Sequence, residues 1–340
     1  MNEEGQPITT SYVNSPATAA PAVATSAPVV AAYVEPAAPA YSAPASSSPQ
    51  QAAPAPAATS AAAPAPAASS PAASSPSSSG SNAGHGITYS PYNADGTCKT
   101  QSQVNEDFSN LSGYSMVRLY GVDCNQLSTV GSAAIAKGMK IFAGVYDISQ
   151  TASEIASIIA AFGSNWSNVH TVSVGNELIN TGAASVPQVV AAIGTARGLL
   201  SAAGYSGPVV TVDTWDAIIA NPALCQASDY AAANAHAFFT PTVVASGAGA
   251  YVLGCAQAVS QACGGKNTMI TESGWPSQGS ANGVAVPSEA NQQAAIASLK
   301  STFSDNLILF NAYNDLWKQN NAYTFGAEQY WGIYGTSTAQ

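Results

Sequence analysis

Two glutamates stand in contexts suited to chemistry. Glu177 closes the run Thr171-Val-Ser-Val-Gly-Asn-Glu177, and Glu272 lies in Thr268-Met-Ile-Thr-Glu272-Ser-Gly-Trp-Pro276. Each follows a short apolar, β-prone stretch and opens a turn. A parallel barrel presents its reactive groups at the C-terminal ends of its strands. A carboxyl pair across one mouth is the minimum equipment for cleaving a glycosidic bond. Only six glutamates occur after residue 85, and these two end apolar runs, where an unpaired carboxylate is costly to bury.

Eight short runs could position such a pair: 86–90, 116–120, 140–145, 171–175, 208–213, 231–236, 268–271 and 307–312. Most are rich in β-branched or aromatic residues and apolar nearly throughout, as strands buried on both faces are. The sixth, Ala-Ala-Ala-Asn-Ala-His, is helix-like by propensity and is assigned by its place in the series. Helix-period segments lie between. Ile155, Ile158, Ile159 and Phe162 share one face. Ser185 and Pro187 open a second helix, and Gly204 closes it. Residues 127–138, 249–264 and 287–303 behave similarly. About eight strand–helix repeats in some 255 residues predict an α/β fold, the (β/α)8 TIM barrel. No Gly-x-Gly-x-x-Gly fingerprint follows the first strand, which weakens a dinucleotide-binding alternative.

The strand ends collect aromatic and polar groups that suit a sugar's apolar faces and hydroxyl edges. Tyr89, Tyr120, Asp147, Asn176, Asp213, His236, Trp275 and Tyr313 are the candidate substrate contacts. Arg118 is expected to pair with a carboxylate inside the barrel. Each has a plainer reading. Tyrosine or tryptophan at a strand end often packs the core. His236 could be a satisfied buried imidazole, and Asp147 and Asp213 could cap helices.

The chain is made of two materials. Residues 1–85 are almost entirely Ala, Pro, Ser, Thr and Val, without Cys, Trp, Lys or Arg. Such sequence cannot bury enough apolar surface to offset chain entropy, so we expect a disordered region, either an O-glycosylated stalk or a plain linker. Residues 86–340 hold all five Cys, all five Trp and every basic residue. The net charge of −10 argues against nucleic acid, whose phosphates need basic partners. No 18-residue apolar stretch suggests a membrane span, and no leader is visible at the start. Two Asn-x-Ser sequons, at Asn110 and Asn165, nevertheless point outside the cell. We therefore expect a start upstream of Met1, which an in-frame stop just before it would refute.

At both glutamates the chain resembles family 17 of the glycoside hydrolases. Thr271-Glu-Ser-Gly-Trp-Pro-Ser277 is similar to that family's nucleophile signature, and Val174-Gly-Asn-Glu177 to its acid/base segment. Further likeness runs through Val117–Cys124, Asn234–Phe239 and Tyr330–Tyr334, so it spans nearly all of 86–340 and none of the tail. Fungal soluble cell wall proteins and yeast surface mannoproteins form the subgroup resembled. The resemblance implies a secreted wall enzyme on β-1,3-glucan, hydrolase or transglycosylase, with Glu272 as nucleophile and Glu177 as acid/base. Asn176 would bind the sugar 2-hydroxyl. No cofactor or metal is implied. The retaining mechanism needs carboxyls roughly 5–5.5 Å apart and a raised pKa at Glu177. The last strand departs from the family pattern: Asn311 and Asn314 replace acids, and Asp315 replaces a Glu.

Two other functions remain open at this point. The barrel could be a structural or adhesive mannoprotein that binds glucan with little turnover, or an enzyme on another polysaccharide. Cys98 and Cys124, in the loops after the first two strands, are expected to bridge. Among Cys225, Cys255 and Cys263 the pairing is not decided by sequence.

Overall fold

The computed structural model describes residues 84–339. Apart from its last two residues, the region 1–85 read as disordered lies outside them. Eight strands follow in order: β1 (Gly86–Thr88), β2 (Met116–Arg118), β3 (Lys140–Val145), β4 (Val169–Asn176), β5 (Val209–Thr214), β6 (Ala231–Asn234), β7 (Thr268–Ser273) and β8 (Leu307–Leu309). Each pairs in parallel with the next, and β8 returns to β1, so the barrel is closed.

The helices are α1 (Gln101–Asn110), α2 (Gln126–Ala136), α3 (Thr151–Phe162), α4 (Val186–Ala202), the short α5 (Trp215–Ala220) and α6 (Ala223–Ala227), α7 (Ala248–Ala262) and α8 (Glu289–Thr302). The sequence reading did not include α1, α5 or α6. The start of α1 was nonetheless written in a local pattern. Thr100 and Gln103 form a reciprocal capping box that satisfies two otherwise orphaned N–H groups. β6 is a strand despite its alanines, because its small side chains are fully enclosed between β5, β7 and the surrounding helices.

The barrel interior alternates with the strand period. Met116, Phe142, Val210, Val212, Ala232, Met269 and Ile308 form an apolar plug, while residues between them on the strands pack outward against the helices. Two disulfides brace the shell, Cys98–Cys124 as expected and Cys225–Cys263 among the three undecided cysteines; Cys255 is a buried free thiol. After β8 the chain runs back over the mouth, with backbone bonds from Asn311 to Trp331 and from Ile333 to Asn311. A buried ion pair, Lys99–Asp107 at 2.7 Å, also receives the hydroxyls of Tyr89 and Ser337.

Candidate active site

Strict alternation would not deliver Glu272 to the barrel interior. Along β7, Met269 faces the plug and Ile270 the helices, so Glu272 would share the outward side with Ile270. The register of β7 shifts against both neighbours at this point. A ladder irregularity re-aims the side chains beyond it. A second shift lies in β4, whose pairing with β5 slips between Ser173 and Asn176, at Gly175 with φ +81°, and there it is Asn176 that turns inward to Arg118. The Glu-Ser-Gly-Trp-Pro segment is then explained residue by residue. A Cβ on Gly274 would lie 1.9 Å from the Phe310 carbonyl oxygen, so only glycine lets β8 pass. Trp275 is fully buried, donates its ring N–H to Val286 and anchors the strand end.

Six of the eleven singled-out residues come together. Arg118 is buried and donates to Glu272 (2.8 Å), to the Thr271 carbonyl (2.9 Å) and to Asn176 (2.7 Å). His236 Nε2 lies 3.4 Å from the other Glu272 oxygen. The ring of Tyr120 sits 4.6 Å from the guanidinium, and its buried hydroxyl has no hydrogen-bond partner among the described residues. Asn234, noticed at its strand end but not proposed as a site residue, joins the two carboxylates. Its Oδ1 accepts from Thr271 and Arg118, which turns its Nδ2 toward the acids. That nitrogen donates to Glu177 at 2.8 Å and to Glu272 at 3.0 Å. The sum of those two distances is therefore the greatest separation the two oxygens can have.

The pair is electrostatically split. Burial pushes the Glu177 carboxyl up, and the Glu272 charge pushes it further; the Asn234 bond and His236 oppose this without reversing it. Burial also acts upward on Glu272, but Arg118, His236 and then Lys318 outweigh it and hold that carboxyl down at about 2. Glu177 is thus built to carry a proton where Glu272 is ionised. Lys318 belongs to a feature the sequence reading missed. Its ammonium lies over the rings of Phe310 and Trp317 and pairs with Asp315 at 3.3 Å. Trp331, another residue not singled out, packs edge-on against His236 at 4.9 Å.

The other five do not line this centre. Tyr89 is buried and gives its hydroxyl to Asp107; Tyr313 packs beside it and bonds the Asp107 carbonyl. Trp275 is core. Asp147 is exposed and caps a 3-10 turn through Ser149 N, which is the helix-cap reading. Asp213 is buried and accepts backbone N–H groups from the turn after Glu177. Each lies at or shortly after a strand end, β1 and β8 stopping at Thr88 and Leu309, short of the expected 90 and 312, but the side chain turns inward or into the backbone. The neutral Asn311 is accommodated, since it accepts from Thr88 and donates to Asp315 at 2.7 Å. A groove of about 650 Å³ between α2 and α3 carries no ionisable side chain and lacks the equipment for this chemistry.

The family described as the BtgE/BtgC glycoside hydrolase domain matches residues 86–332. The chain belongs to that family. It is a glycoside hydrolase of the family 17 kind. Its relatives include cell surface mannoprotein MP65 of Candida albicans, 53% identical over 258 residues, or 75% of this chain and 68% of that one. Probable family 17 glucosidase SCW10 of Saccharomyces cerevisiae is 50% identical over 252 residues, 73% of this chain and 64% of that one. Probable beta-glucosidase btgE of Aspergillus terreus is 37% identical over 256 residues, and the match spans 45% of its length. Among solved structures, a family 17 beta-1,3-glucanosyltransferase from Rhizomucor miehei superposes with a TM-score of 0.63 at 25% identity, covering 76% of this chain and 95% of that one.

Proposed function

We propose that this protein is a retaining enzyme on β-1,3-glucan, hydrolase or transglycosylase, with Glu272 as nucleophile and Glu177 as general acid/base. The observation that carries this reading is the Asn234 amide shared by two carboxyls of opposite pKa tendency. The two oxygens that share this amide, Oε1 of each glutamate, are bounded closer than the roughly 6.5 Å at which the spacing for an inverting water begins. Protonated Glu177 gives its proton to the leaving oxygen while Glu272 attacks the anomeric carbon. The C1–O bond breaks and a glycosyl ester forms. Water, or a hydroxyl of a second glucan chain, then attacks C1 and gives its proton to Glu177, and Glu272 departs.

Asn176 keeps its amide N–H groups for the sugar, because its oxygen is committed to Arg118 and Asn234. Tyr120 and His236 border the same subsite. Arg118 keeps the nucleophile ionised and fixed. The names of the relatives support β-1,3-glucan as substrate and the cell surface as the place of action. The two disulfides support an oxidising compartment. The chain is then a Ser/Thr/Pro/Ala-rich region, 1–85, ahead of a catalytic barrel, 86–340.

A product time course on a soluble β-1,3-glucan, run beside Glu272→Gln, tests this. Short products indicate hydrolysis, and products longer than the starting oligosaccharide indicate transfer; either must vanish in the variant. Binding without turnover by the unaltered protein would move the assignment to a glucan-binding wall mannoprotein.

A further inference from the structure

The reaction leaves the buried carboxylate of Asp213 without a task. Asp213, near the end of β5, is 2% exposed. Among the described residues no cation pairs with it. Instead it accepts three backbone N–H groups: Ile179 on Oδ2 at 2.9 Å, and Asn180 and Thr214 on Oδ1 at 3.2 and 2.9 Å. Ile179 and Asn180 lie two and three residues beyond Glu177. Glu177 itself has φ +53°, a left-handed conformation that a non-glycine residue keeps only when its surroundings over-determine it. Those surroundings are visible. The Glu177 N–H donates to Val212 of β5, and its carbonyl accepts from the Thr181 N–H at 3.0 Å and hydroxyl at 2.7 Å.

We propose that Asp213 is a positioning residue, a carboxylate clamp that holds this left-handed turn and so aims Glu177 at the leaving oxygen. The proposal rests on the acid/base reading of Glu177. Both Asp213 oxygens act as acceptors, which explains why a carboxylate is required. An asparagine has one acceptor oxygen, and either orientation of its amide would set NH2 against a backbone N–H. The clamp's charge also faces the acid. Glu177 is surrounded by Glu272 from β7, His236 after β6, Asp213 from β5 and the neutral donor Asn234, with Arg118 of β2 reaching Glu272 and Asn176. Burial pushes the Asp213 carboxyl up, its three N–H donors pull it back, and the Asp216 charge adds a smaller upward push. Asp213 adds to burial and to Glu272 in keeping the proton on Glu177.

Leaving-group dependence separates aim from general damage. Departure of 2,4-dinitrophenolate needs no proton, whereas departure of a sugar alkoxide does. Kinetics would be run on laminari-oligosaccharides and on their 2,4-dinitrophenyl β-glycosides for unaltered protein, Glu177→Ala, Asp213→Asn and Thr181→Val, with folding checked by circular dichroism. Asp213→Asn is expected to lose roughly 10- to 100-fold in kcat on the oligosaccharide, the scale of a misaimed group. KM on the oligosaccharide should stay nearly unchanged, and kcat/KM on the activated glycoside, which reports formation of the glycosyl ester alone, should stay nearly full. Its alkaline limb should move to lower pH. Thr181→Val, exposed and safe to fold, should show the same selectivity more weakly, and it carries the test if Asp213→Asn does not fold. Equal loss of kcat/KM on both substrates, or no loss, overturns the clamp. If Glu177→Ala itself shows no leaving-group dependence, the acid/base reading falls and the clamp with it.

Discussion

The same strands build two unlike ends. Toward the barrel floor the inward positions are Met116, Ala232 and Met269, part of an apolar plug closed by Phe142 and Ile308. Two residues further along β2, β6 and β7 the inward positions are Arg118, Asn234 and Thr271, joined by hydrogen bonds. One pleat separates a core that obeys the burial rule from a mouth that breaks it. The mouth tolerates a buried guanidinium because four acceptors surround it and one is the ionised Glu272. The floor stabilises the barrel; the mouth spends that stability on a fixed charge distribution. Arg118 over the Phe142 ring, 5.4 Å away, is where the two meet.

If this division is right, changes at the mouth should alter chemistry and changes at the floor should alter stability. The largest effect is expected from Glu272→Gln, a loss on the order of 10⁴-fold or more in kcat with a native circular dichroism spectrum. Retained turnover would end the nucleophile assignment. Next is Phe142→Ala, which should cost about 3–5 kcal/mol in denaturant unfolding. At temperatures where it stays folded its pH profile should keep its limbs; a displaced limb would mean that floor and mouth are not separable.

A smaller change is expected from His236→Asn. In the proposed mechanism activity requires Glu272 ionised, so it should fall as pH drops through a carboxyl held at about 2. Removing His236 removes a group that lowers that pKa, so the acid limb of kcat/KM should move to higher pH. The opposite limb, set by protonated Glu177, is lost as pH rises through its elevated pKa. The smallest effect is expected from Cys255→Ala, about 1 kcal/mol or less in thermal unfolding with no kinetic change. A kinetic change there would reveal coupling from the outer layer to the mouth.

The strands were legible because β-branched runs such as Thr171–Gly175 leave few alternatives, and even Ala231–His236 was recovered from its place in the series. Glu177, Glu272 and Arg118 were legible because charge at the end of an apolar run is conspicuous. What sequence does not encode locally is the turn after the strand. Tyr89 and Tyr313 look like platforms until the chain folds them onto Asp107. Asp213 looks like a sugar contact until the turn after Glu177 covers it. The register shifts in β4 and β7 are likewise collective properties of neighbouring strands. Asn234 was visible at its strand end, but its part as a shared donor depends on Thr271 and Arg118 fixing its amide.

The seam between β1 and β8 has a consequence for synthesis. A ribosome makes the chain from one end, and this barrel cannot close until its eighth strand has emerged. Even then Ser337 must still reach back to the Lys99–Asp107 pair beside the first strand. Until that moment a nascent chain carries an open sheet edge, the kind that invites pairing with a neighbour. Of the two edges left open until β8 arrives, β1 is only three residues long, so that side of the sheet has little to offer a wrong partner.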